Sequence, residues 1–235
     1  MKILIAGGSS GIGLASARLL SEQKHQVIIM GRNKDKLDLA LKEFGENVKG
    51  IQVDVSNAQS MKQVLADAGE IDHLVIAVSG AKGAGIFSEL NLQHLREGFE
   101  EKFFPQLQTA QLALKHLNKT GSIVFITAGS SHSKLIGTSG LGAINGSIEI
   151  MIPILAKELK PLRINGVSPG VINTPWWDFL SPDEKAKTFK QYAENIPVGR
   201  IGEPEDIAKV VEILITNSYI TGQVIAVDGG LSLGN

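Results

Sequence analysis

The sequence predicts an α/β fold in which a seven-stranded parallel sheet is doubly wound, with helices on both faces. Short β-branched runs alternate with helical patterns along all 235 residues, and this alternation implies right-handed crossovers between parallel strands. The predicted strands are apolar almost throughout, which indicates that both of their faces are buried. No linker, internal repeat or low-complexity tract interrupts the pattern. We therefore predict one Rossmann-like domain that spans residues 1–235.

The strands and helices are assigned in chain order. The strands are the short runs rich in Val and Ile, at 2–6, 26–30, 48–54, 73–78, 122–127, 163–168 and 224–228. The helices are the segments with apolar residues three and four positions apart, at 11–22, 34–44, 57–67, about 91–118 and about 139–160. The segment from about 171 to 203 breaks the alternation and contains N-T-P-W-W. We expect it to form a lid over the carboxyl ends of the strands.

Single residues support the helix boundaries. The first helix carries Ile12 and Leu19 on one apolar face. The second is expected to end before Gly45, and Ser56 is the predicted N-cap of the third. Pro105 lies inside the long fourth helix and predicts a bend there.

The composition restricts the class of protein. Net charge is −1, with acids and bases interspersed, which argues against a nucleic-acid or membrane-surface protein. The absence of cysteine excludes disulfides, thiolate metal sites and a cysteine nucleophile, and no metal site is predicted. No apolar run approaches the roughly 20 residues that cross a bilayer, and the run at 2–6 is interpreted as a strand rather than a signal peptide. We expect a soluble, cytoplasmic protein with no nucleic-acid or membrane partner.

A glycine-rich loop follows the first strand. The stretch A-G-G-S-S-G-I-G occupies 6–13 and leads into the first helix. Gly7, Gly11 and Gly13 allow a tight turn and a close approach to a ligand, and the helix N-terminus supplies unpaired N–H groups and a positive dipole end. Glycines also serve ordinary turns, but this position within a βαβ unit favours a bound pyrophosphate.

Seven motifs in order resemble a known family. They are G-x-x-x-G-x-G at 7–13, D-V at 54–55, L-A-K-E-L at 155–159, R-I-N-G-V-S-P-G at 163–170, V-I-N-T-P at 171–175, G-E-P-E-D-I-A at 202–208 and I-T-G-Q-V-I-A-V-D-G-G at 220–230. Their order and spacing are similar to those of the short-chain dehydrogenase/reductase family, over almost the whole chain. The resemblance implies an oxidoreductase that moves a hydride between a nicotinamide cofactor and a carbonyl or alcohol.

The resemblance also implies the cofactor contacts. Asp54 would hydrogen-bond the adenine amine, Ile172 would contact the nicotinamide carboxamide through its backbone, and Thr174 would contact the carboxamide or the pyrophosphate. The family's N-N-A-G motif is A-V-S-G (77–80) here and keeps only Gly80. The predicted cofactor-binding set is Gly7, Ser9, Ser10, Gly11, Ile12, Gly13, Arg32, Asp54, Val55, Gly80, Lys102, Asn145, Pro169, Gly170, Ile172 and Thr174.

The end of the second strand predicts which dinucleotide binds. A carboxylate there would accept hydrogen bonds from the ribose hydroxyls and repel a 2′-phosphate. The sequence has M-G-R-N instead, with Gly31 at the acidic position and Arg32 beside it. A guanidinium can pair with a phosphate through two charge-assisted bonds, although Arg32 could also be a solvated loop residue. We predict NADP(H) rather than NAD(H).

The family's four active-site positions are all changed. By the resemblance, Leu141 stands at the tyrosine position that exchanges the hydroxyl proton, and Asn145 at the lysine position four residues later. Ala128 stands at the serine position, and Lys102 at the asparagine position on the long helix. Leucine cannot exchange a proton, so the usual acid of the family is missing.

Other side chains could act in its place. The predicted catalytic candidates are Lys102, Thr127, His132 and Asn145. A lysine with a pKa lowered by burial can donate a proton, but Lys102 could instead lie on the exposed shoulder of its helix. His132 has a suitable intrinsic pKa, and it could equally be a surface-loop residue. Weaker candidates are Ser130, Ser131 and Tyr192, and the lid tryptophans Trp176 and Trp177 would line an apolar pocket or cap the core.

Two functions remain open from the sequence. The first is an NADP(H)-dependent oxidoreductase with a reconfigured proton-relay site and an unidentified, apolar small-molecule substrate. The second is a non-catalytic NADP(H)-binding sensor or partner subunit. The helix at 139–160 is apolar nearly all round, which a helix packing one face on a sheet does not need, and we expect a homodimer or homotetramer.

Overall fold

The computed structural model describes residues 1–233 and contains one wholly parallel seven-stranded sheet. The strands are β1 (Lys2–Ala6), β2 (Gln26–Gly31), β3 (Val48–Gln52), β4 (Ile71–Ile76), β5 (Leu117–Ile126), β6 (Arg163–Pro169) and β7 (Val224–Val227). Their spatial order is β3-β2-β1-β4-β5-β6-β7, and every neighbouring pair is parallel. The predicted doubly wound fold is confirmed, and its winding reverses between β1 and β4.

Helices cover both faces of this sheet. They are α1 (Gly11–Glu22), α2 (Lys34–Leu41), α3 (Ala58–Ala68), α4 (Leu92–Gly98), α5 (Phe104–Ala113), α6 (Ser139–Glu158), α7 (Pro182–Asn195) and α8 (Pro204–Thr216). Residues of α1, α2 and α8 share one buried cluster with Ile3 and Ile5 of β1. Residues of α3, α5 and α6 share the other with Leu4 and Ala6. Successive strand residues therefore enter opposite cores, which explains the apolar strands.

The predicted long fourth helix is divided into three parts. α4 ends at Gly98, a π-helical turn occupies Phe99–Phe103, and α5 begins at Phe104. Pro105 explains the break, because it has no N–H to donate to the carbonyl four residues earlier and its ring crowds that carbonyl. The prediction that this helix reaches residue 118 is wrong, since α5 ends at Ala113 and β5 begins at Leu117. The π-turn matters for function because Lys102 lies in it.

The N-cap of α3 also differs from the prediction. Asn57 caps the helix, with its side-chain Oδ1 accepting the N–H of Ser60 at 2.9 Å. Ser56 instead donates its hydroxyl to Asp54 Oδ1 at 2.7 Å. Both residue types make good caps, and the neighbouring carboxylate decides which of them does so.

α6 is long and apolar enough to meet the length and composition of a membrane-crossing helix, contrary to the expectation that no run approaches this size. Its most apolar 18-residue window has a mean hydropathy of 1.3, and one third of that window is buried. Ile148 and Ile152 of this helix pack into the sheet core. Two other apolar side chains, Ile150 and Ile154, are exposed on the opposite side of the helix.

The predicted lid at 171–203 contains a short 3-10 turn at Pro175–Trp177 followed by α7. Ser181 and Glu184 form a reciprocal capping box at the start of α7, in which the Ser181 hydroxyl and the Glu184 carboxylate each engage the other residue's backbone. The aromatic side chains of Trp176 and Trp177 meet edge to face, with ring centroids 4.9 Å apart. The lid therefore has its own small aromatic core.

Candidate active site

One large cleft of about 810 Å³ lies at the carboxyl ends of the strands. It begins where the winding reverses between β1 and β4, which is where open parallel sheets bind their ligands. Its size is within the range of small-molecule and cofactor pockets. Its lining extends from the glycine-rich loop after β1 to the first turn of α6 and the lid.

The glycine-rich loop forms the floor of one end. Gly7 has φ +82°, and a Cβ there would lie 2.6 Å from the carbonyl oxygen of Ala77. A Cβ on Gly13 would lie 2.2 Å from the Gly7 carbonyl oxygen, so α1 starts in direct contact with the strand. Ser10 is the extended N-cap of α1, and its side chain makes no capping hydrogen bond within the described chain. The first N–H groups of α1 are therefore available to an anion.

The end of β2 forms the side of this region. Arg32, Asn33 and Lys36 line the cleft there. A Cβ on Gly31 would lie 2.7 Å from the Ser9 hydroxyl oxygen, so a larger residue at 31 would have to displace Ser9. The Ser9 hydroxyl therefore fills the space that an acidic side chain at position 31 would need, and the cationic side chains of Arg32 and Lys36 lie on the same side of the cleft.

Asp54 follows β3 and faces the same region. Its Oδ1 accepts the Ser56 hydroxyl at 2.7 Å and the Ser56 backbone N–H at 3.0 Å. These bonds, with a smaller contribution from the positive charge of Arg32, lower the pKa of Asp54 against the opposing effect of burial. Val55, beside it, is buried and also lines the cleft.

The segment after β6 lies across the cleft from the glycine-rich loop. A Cβ on Gly11 would lie 3.4 Å from the Thr174 side chain, so Thr174 stands against the N-terminus of α1. The Ile172 carbonyl accepts the indole N–H of Trp177 at 3.0 Å, which fixes the first turn of the lid. Pro169 and Gly170, at the end of β6, line the cleft beside it.

The side chain of Trp176 fastens the lid to the opposite wall of the cleft. The indole N–H of Trp176 donates to the Gly80 carbonyl at 3.0 Å, and Gly80 belongs to the loop after β4. Trp177 packs between Phe179, Phe189 and Tyr192, with ring centroids 5.6–6.1 Å apart. Trp176, Trp177 and Tyr192 all line the cleft, and the two tryptophans pack on the other aromatic residues of the lid rather than on the sheet core.

Lys102 is buried in the part of the cleft that Leu141 and Asn145 also line, which we call the reacting end. Only 7% of its surface is exposed, and its ammonium donates to the Thr127 carbonyl at 3.0 Å. Burial lowers the pKa of Lys102 to about 8, against the opposing effect of the Glu149 carboxylate. The alternative of an exposed helix shoulder is therefore wrong. The π-turn before Pro105 places this side chain inward, and π-turns are frequent at functional sites.

Thr127 and His132 are placed differently from the prediction that they handle substrate. The Thr127 hydroxyl is buried and lies 2.7 Å from Glu149 Oε1 and 3.1 Å from the Val167 carbonyl, so it is engaged inside the protein. His132 Nε2 lies 3.0 Å from Glu149 Oε2, and among the described residues that line the cleft His132 is not included. Of these two residues, only the Thr127 backbone reaches Lys102.

Glu149 is the residue that the sequence interpretation missed. Its carboxylate is buried with 8% exposure, and it accepts the hydroxyls of Thr127 at 2.7 Å and Ser168 at 3.0 Å. It lies four residues after Asn145, hence on the same face of α6. A lone acid in the apolar run I-E-I-M-I was the available signal, because a buried carboxylate requires partners.

Asn145 holds an unused acceptor. It is 3% exposed, and its amide nitrogen donates to the Leu141 carbonyl at 2.8 Å and to the Ser130 hydroxyl at 3.1 Å. Its amide oxygen is buried and has no hydrogen-bond partner in residues 1–233. A buried polar atom without a partner costs stability, so this oxygen is placed to accept from a ligand hydroxyl.

The remaining polar residues of this end have local roles. Ser131 donates its hydroxyl to the Ala128 carbonyl at 3.0 Å, which closes the turn after β5. Ser130 lines the cleft and accepts the Asn145 bond. Leu141 lines the cleft as an apolar wall. The reacting end thus contains one ammonium, one free amide acceptor and a leucine.

A family profile described as "Enoyl-(Acyl carrier protein) reductase" matches residues 6–232 of the chain. Among characterised proteins, "Carbonyl reductase family member 4" of Xenopus laevis is 33% identical over 237 residues, covering 97% of both chains. "3-Oxoacyl-[acyl-carrier-protein] reductase" of Mus musculus is 30% identical over 236 residues, again covering 97% of both.

Solved structures are similar over the whole chain. A small-chain dehydrogenase in complex with NADPH is 29% identical, has a TM-score of 0.84, and aligns over 100% of this chain and 99% of its own. A short-chain type dehydrogenase/reductase from Mycobacterium ulcerans is 25% identical, with a TM-score of 0.89 and coverages of 100% and 90%. Both alignments cover 100% of this chain, so they include the glycine-rich loop and the end of the cleft that contains Lys102.

Proposed function

Since this chain belongs to the short-chain dehydrogenase/reductase family of oxidoreductases, we propose that it is an NADP(H)-dependent enzyme that interconverts a carbonyl and an alcohol, with Lys102 as its proton donor. The observation that carries the proposal is the buried Lys102 ammonium in the cleft, with its pKa lowered to about 8. A relative named carbonyl reductase and an NADPH complex among the similar structures support the reaction class and the cofactor.

The described residues fit a dinucleotide. The uncapped N-terminus of α1 and the glycines around it suit a pyrophosphate. Asp54 would accept from the adenine amine, and the segment from Pro169 to Thr174 would face the nicotinamide. The unpartnered amide oxygen of Asn145 would accept a ribose hydroxyl. When bound, the cofactor supplies or accepts the hydride.

We infer a preference for NADP(H) from the end of β2. Arg32 and Lys36 line the cleft there, and both are suited to a 2′-phosphate. Ser9 fills the space beside Gly31, and its hydroxyl could donate to the same phosphate. With no carboxylate at position 31, no negative charge at that position repels the phosphate.

The proton transfer follows from the position of Lys102. In reduction, the carbonyl carbon gains a hydride and the C=O π electrons move to the oxygen. The oxygen then takes a proton from the Lys102 ammonium, which leaves a neutral amine. The amine is then reprotonated from bulk solvent, which restores the ammonium for the next turnover. An acid with a pKa near the working pH is well suited to this exchange. The Thr127 carbonyl holds the Lys102 nitrogen in place at 3.0 Å.

The test is Lys102→Met, which replaces the lysine stem with an unbranched side chain one atom shorter and removes the ammonium proton. NADPH binding is measured by fluorescence, and turnover by NADPH oxidation against a panel of aliphatic and aromatic ketones and aldehydes. We expect turnover to fall about 100-fold or more, with NADPH affinity within a few-fold of the wild type.

Lys82→Met is the matched control. Lys82 also lines the cleft, but its ammonium is paired with Glu97 at 2.7 Å and Glu101 at 3.1 Å, and we expect near wild-type turnover. Unchanged turnover in Lys102→Met would remove Lys102 from the mechanism. NADPH binding by the wild type without turnover of any carbonyl would favour the sensor or partner-subunit function instead.

We also propose that the protein acts in the cytoplasm as a homodimer or homotetramer. Large apolar side chains of α5 and α6 are exposed in the single chain, namely Phe104, Ile150 and Ile154. Such an exposed set is suited to a second copy. Light scattering at micromolar concentration tests this, and a monomer would contradict it.

A further inference from the structure

A second, apolar groove of about 400 Å³ lies beside the mouth of the cleft. Two loops form it, the one after β4 and the one after β5. We refer to it as the side groove, and its apolar lining consists of Ile86, Phe87, Leu135, Ile136, Gly137 and Gly142. The Gly85 N–H donates to the Gly137 carbonyl at 2.8 Å, so the two loops are joined.

The side groove is continuous with the cleft. Ser130, Leu135 and Thr138 line both of them. Ser130 accepts a hydrogen bond from Asn145 at the reacting end, so the groove starts next to the reacting groups. Leu141 lines the cleft, and its neighbour Gly142 lines the groove, so the first turn of α6 provides an apolar passage between them.

Large apolar side chains on the rim of the side groove are exposed. Ile136 is 92% exposed, Phe87 80% and Ile86 57%. Clustered exposure of this kind marks a binding surface. A groove that opens into the cleft is suited to a part of the molecule that reacts there. A protein partner with a flat surface would instead cover the mouth of the cleft and block the entry of substrate.

We propose that the side groove binds the distal end of a linear alkyl chain whose carbonyl lies at Lys102. The inference rests on the proposed function and narrows it to long-chain aliphatic carbonyl compounds. Apolar side chains at Ile86, Phe87, Leu135 and Ile136 suit methylene groups, which gain affinity with each apolar group that is removed from water. Lys134 and Ser139 also line the groove and leave part of its surface polar. Gly142 packs its backbone directly on the turn after β5, since a Cβ there would lie 2.8 Å from the Ser130 carbonyl oxygen.

The first measurement is kcat/KM for NADPH-dependent reduction of 2-alkanones from butan-2-one to dodecan-2-one. In the wild type we expect the value to rise with chain length. In Ile136→Asp we expect it to be about tenfold lower for dodecan-2-one and unchanged for butan-2-one. Ile213→Asp is the control, because Ile213 is an exposed isoleucine of α8 away from the cleft.

The second measurement does not require turnover. Dansyl-undecanoic acid is titrated by fluorescence in the presence of NADP⁺, and we expect Ile136→Asp, but not Ile213→Asp, to weaken its binding about tenfold. Reduction of the ketones without a dependence on chain length, or an equal effect of both variants, would overturn the side groove and leave the proposed function intact.

The remaining outcomes separate the two proposals. Probe binding that Ile136→Asp abolishes, together with no reduction of any ketone, would support the side groove as a binding site while the proposed function fails. A change in molar mass by light scattering in Ile136→Asp alone would show that a second copy covers the groove, and would overturn the inference.

Discussion

The two ends of the cleft are built in different ways. At the nucleotide end the chain uses backbone: glycines at 7, 11 and 13 and the N-terminus of α1. At the reacting end it uses buried side chains from three elements, with Lys102, Thr127 and Glu149 held together by hydrogen bonds and charge. A backbone site depends on where side chains are absent. A side-chain site depends on which groups the fold brings together from distant parts of the chain.

The largest effect should follow from placing a side chain at the nucleotide end. In Gly13→Val, the new Cβ would lie 2.2 Å from the Gly7 carbonyl oxygen. Because this oxygen belongs to the backbone, the clash can be relieved only by moving the glycine-rich loop or α1. We expect a cost of about 4 kcal/mol or more, and NADPH affinity about 1,000-fold weaker, measured by fluorescence titration alongside a thermal melt.

Gly146→Ala is the control for that variant. Gly146 lies in α6, and a Cβ there meets nothing within 4 Å. We expect NADPH binding to be unchanged and stability to rise by about 0.5–1 kcal/mol. Equal losses in the two variants would mean that the close contact at Gly13 does not organise the nucleotide end.

The second largest effect should follow from reversing the charge at Arg32, beside the expected 2′-phosphate. Arg32→Glu removes a phosphate partner and adds a repelling carboxylate in the same place. We expect the binding free energy of NADPH relative to that of NADH to weaken by about 3 kcal/mol. The ratio of the two affinities, measured by competitive titration, should therefore fall about 100-fold. Lys34→Glu is the control, since Lys34 is paired with Asp38 at 2.6 Å. An unchanged ratio in Arg32→Glu would mean that Arg32 does not select the cofactor.

At the reacting end, removing a side chain should stabilise the fold, whereas adding one at Gly13 destabilises it. The folded-state pKa of Lys102 is about 8, below its ordinary value of 10.5, so the buried ammonium costs about 3 kcal/mol below pH 8. Lys102→Met removes that cost but leaves the Thr127 carbonyl without its bond, which costs about 1 kcal/mol. We expect urea denaturation at pH 7 to show a net gain of about 2 kcal/mol.

The sign of this effect is checked by pH. A depressed lysine pKa weakens the wild type fully below the folded value and less as pH rises towards 10.5. The advantage of Lys102→Met should therefore shrink between pH 8 and 10.5. Lys82→Met should show no gain, because Lys82 is exposed and ion-paired. A destabilised Lys102→Met at pH 7 would show that the ammonium is well compensated.

The same contrast explains what could be predicted from the sequence. The apolar strands and the glycine spacing predicted the sheet and the loop, because periodicity and missing side chains are local properties. Glu149 was missed because its partners are 22 and 19 residues away along the chain. The burial of Lys102 depends on the π-turn before Pro105, and a proline in a helical pattern predicts a break without giving its geometry.

The smallest expected effect isolates the Glu149 charge. Glu149→Gln keeps the shape and can still accept the hydroxyls of Thr127 and Ser168, but it removes the charge that raises the pKa of Lys102. Because Lys102 must be protonated to act as an acid, wild-type kcat/KM should fall as pH rises through about 8.

In Glu149→Gln this midpoint should move down by about one pH unit, which gives about fivefold lower activity at pH 8 and little change at pH 6. His132→Gln is the control, because it removes the neighbour at 3.0 Å and keeps the carboxylate. If the two variants shift the midpoint equally, the hydrogen bond rather than the charge supports Lys102. If neither variant shifts the midpoint, the Glu149 charge does not set the pKa of Lys102, and Lys102 acts independently of Glu149.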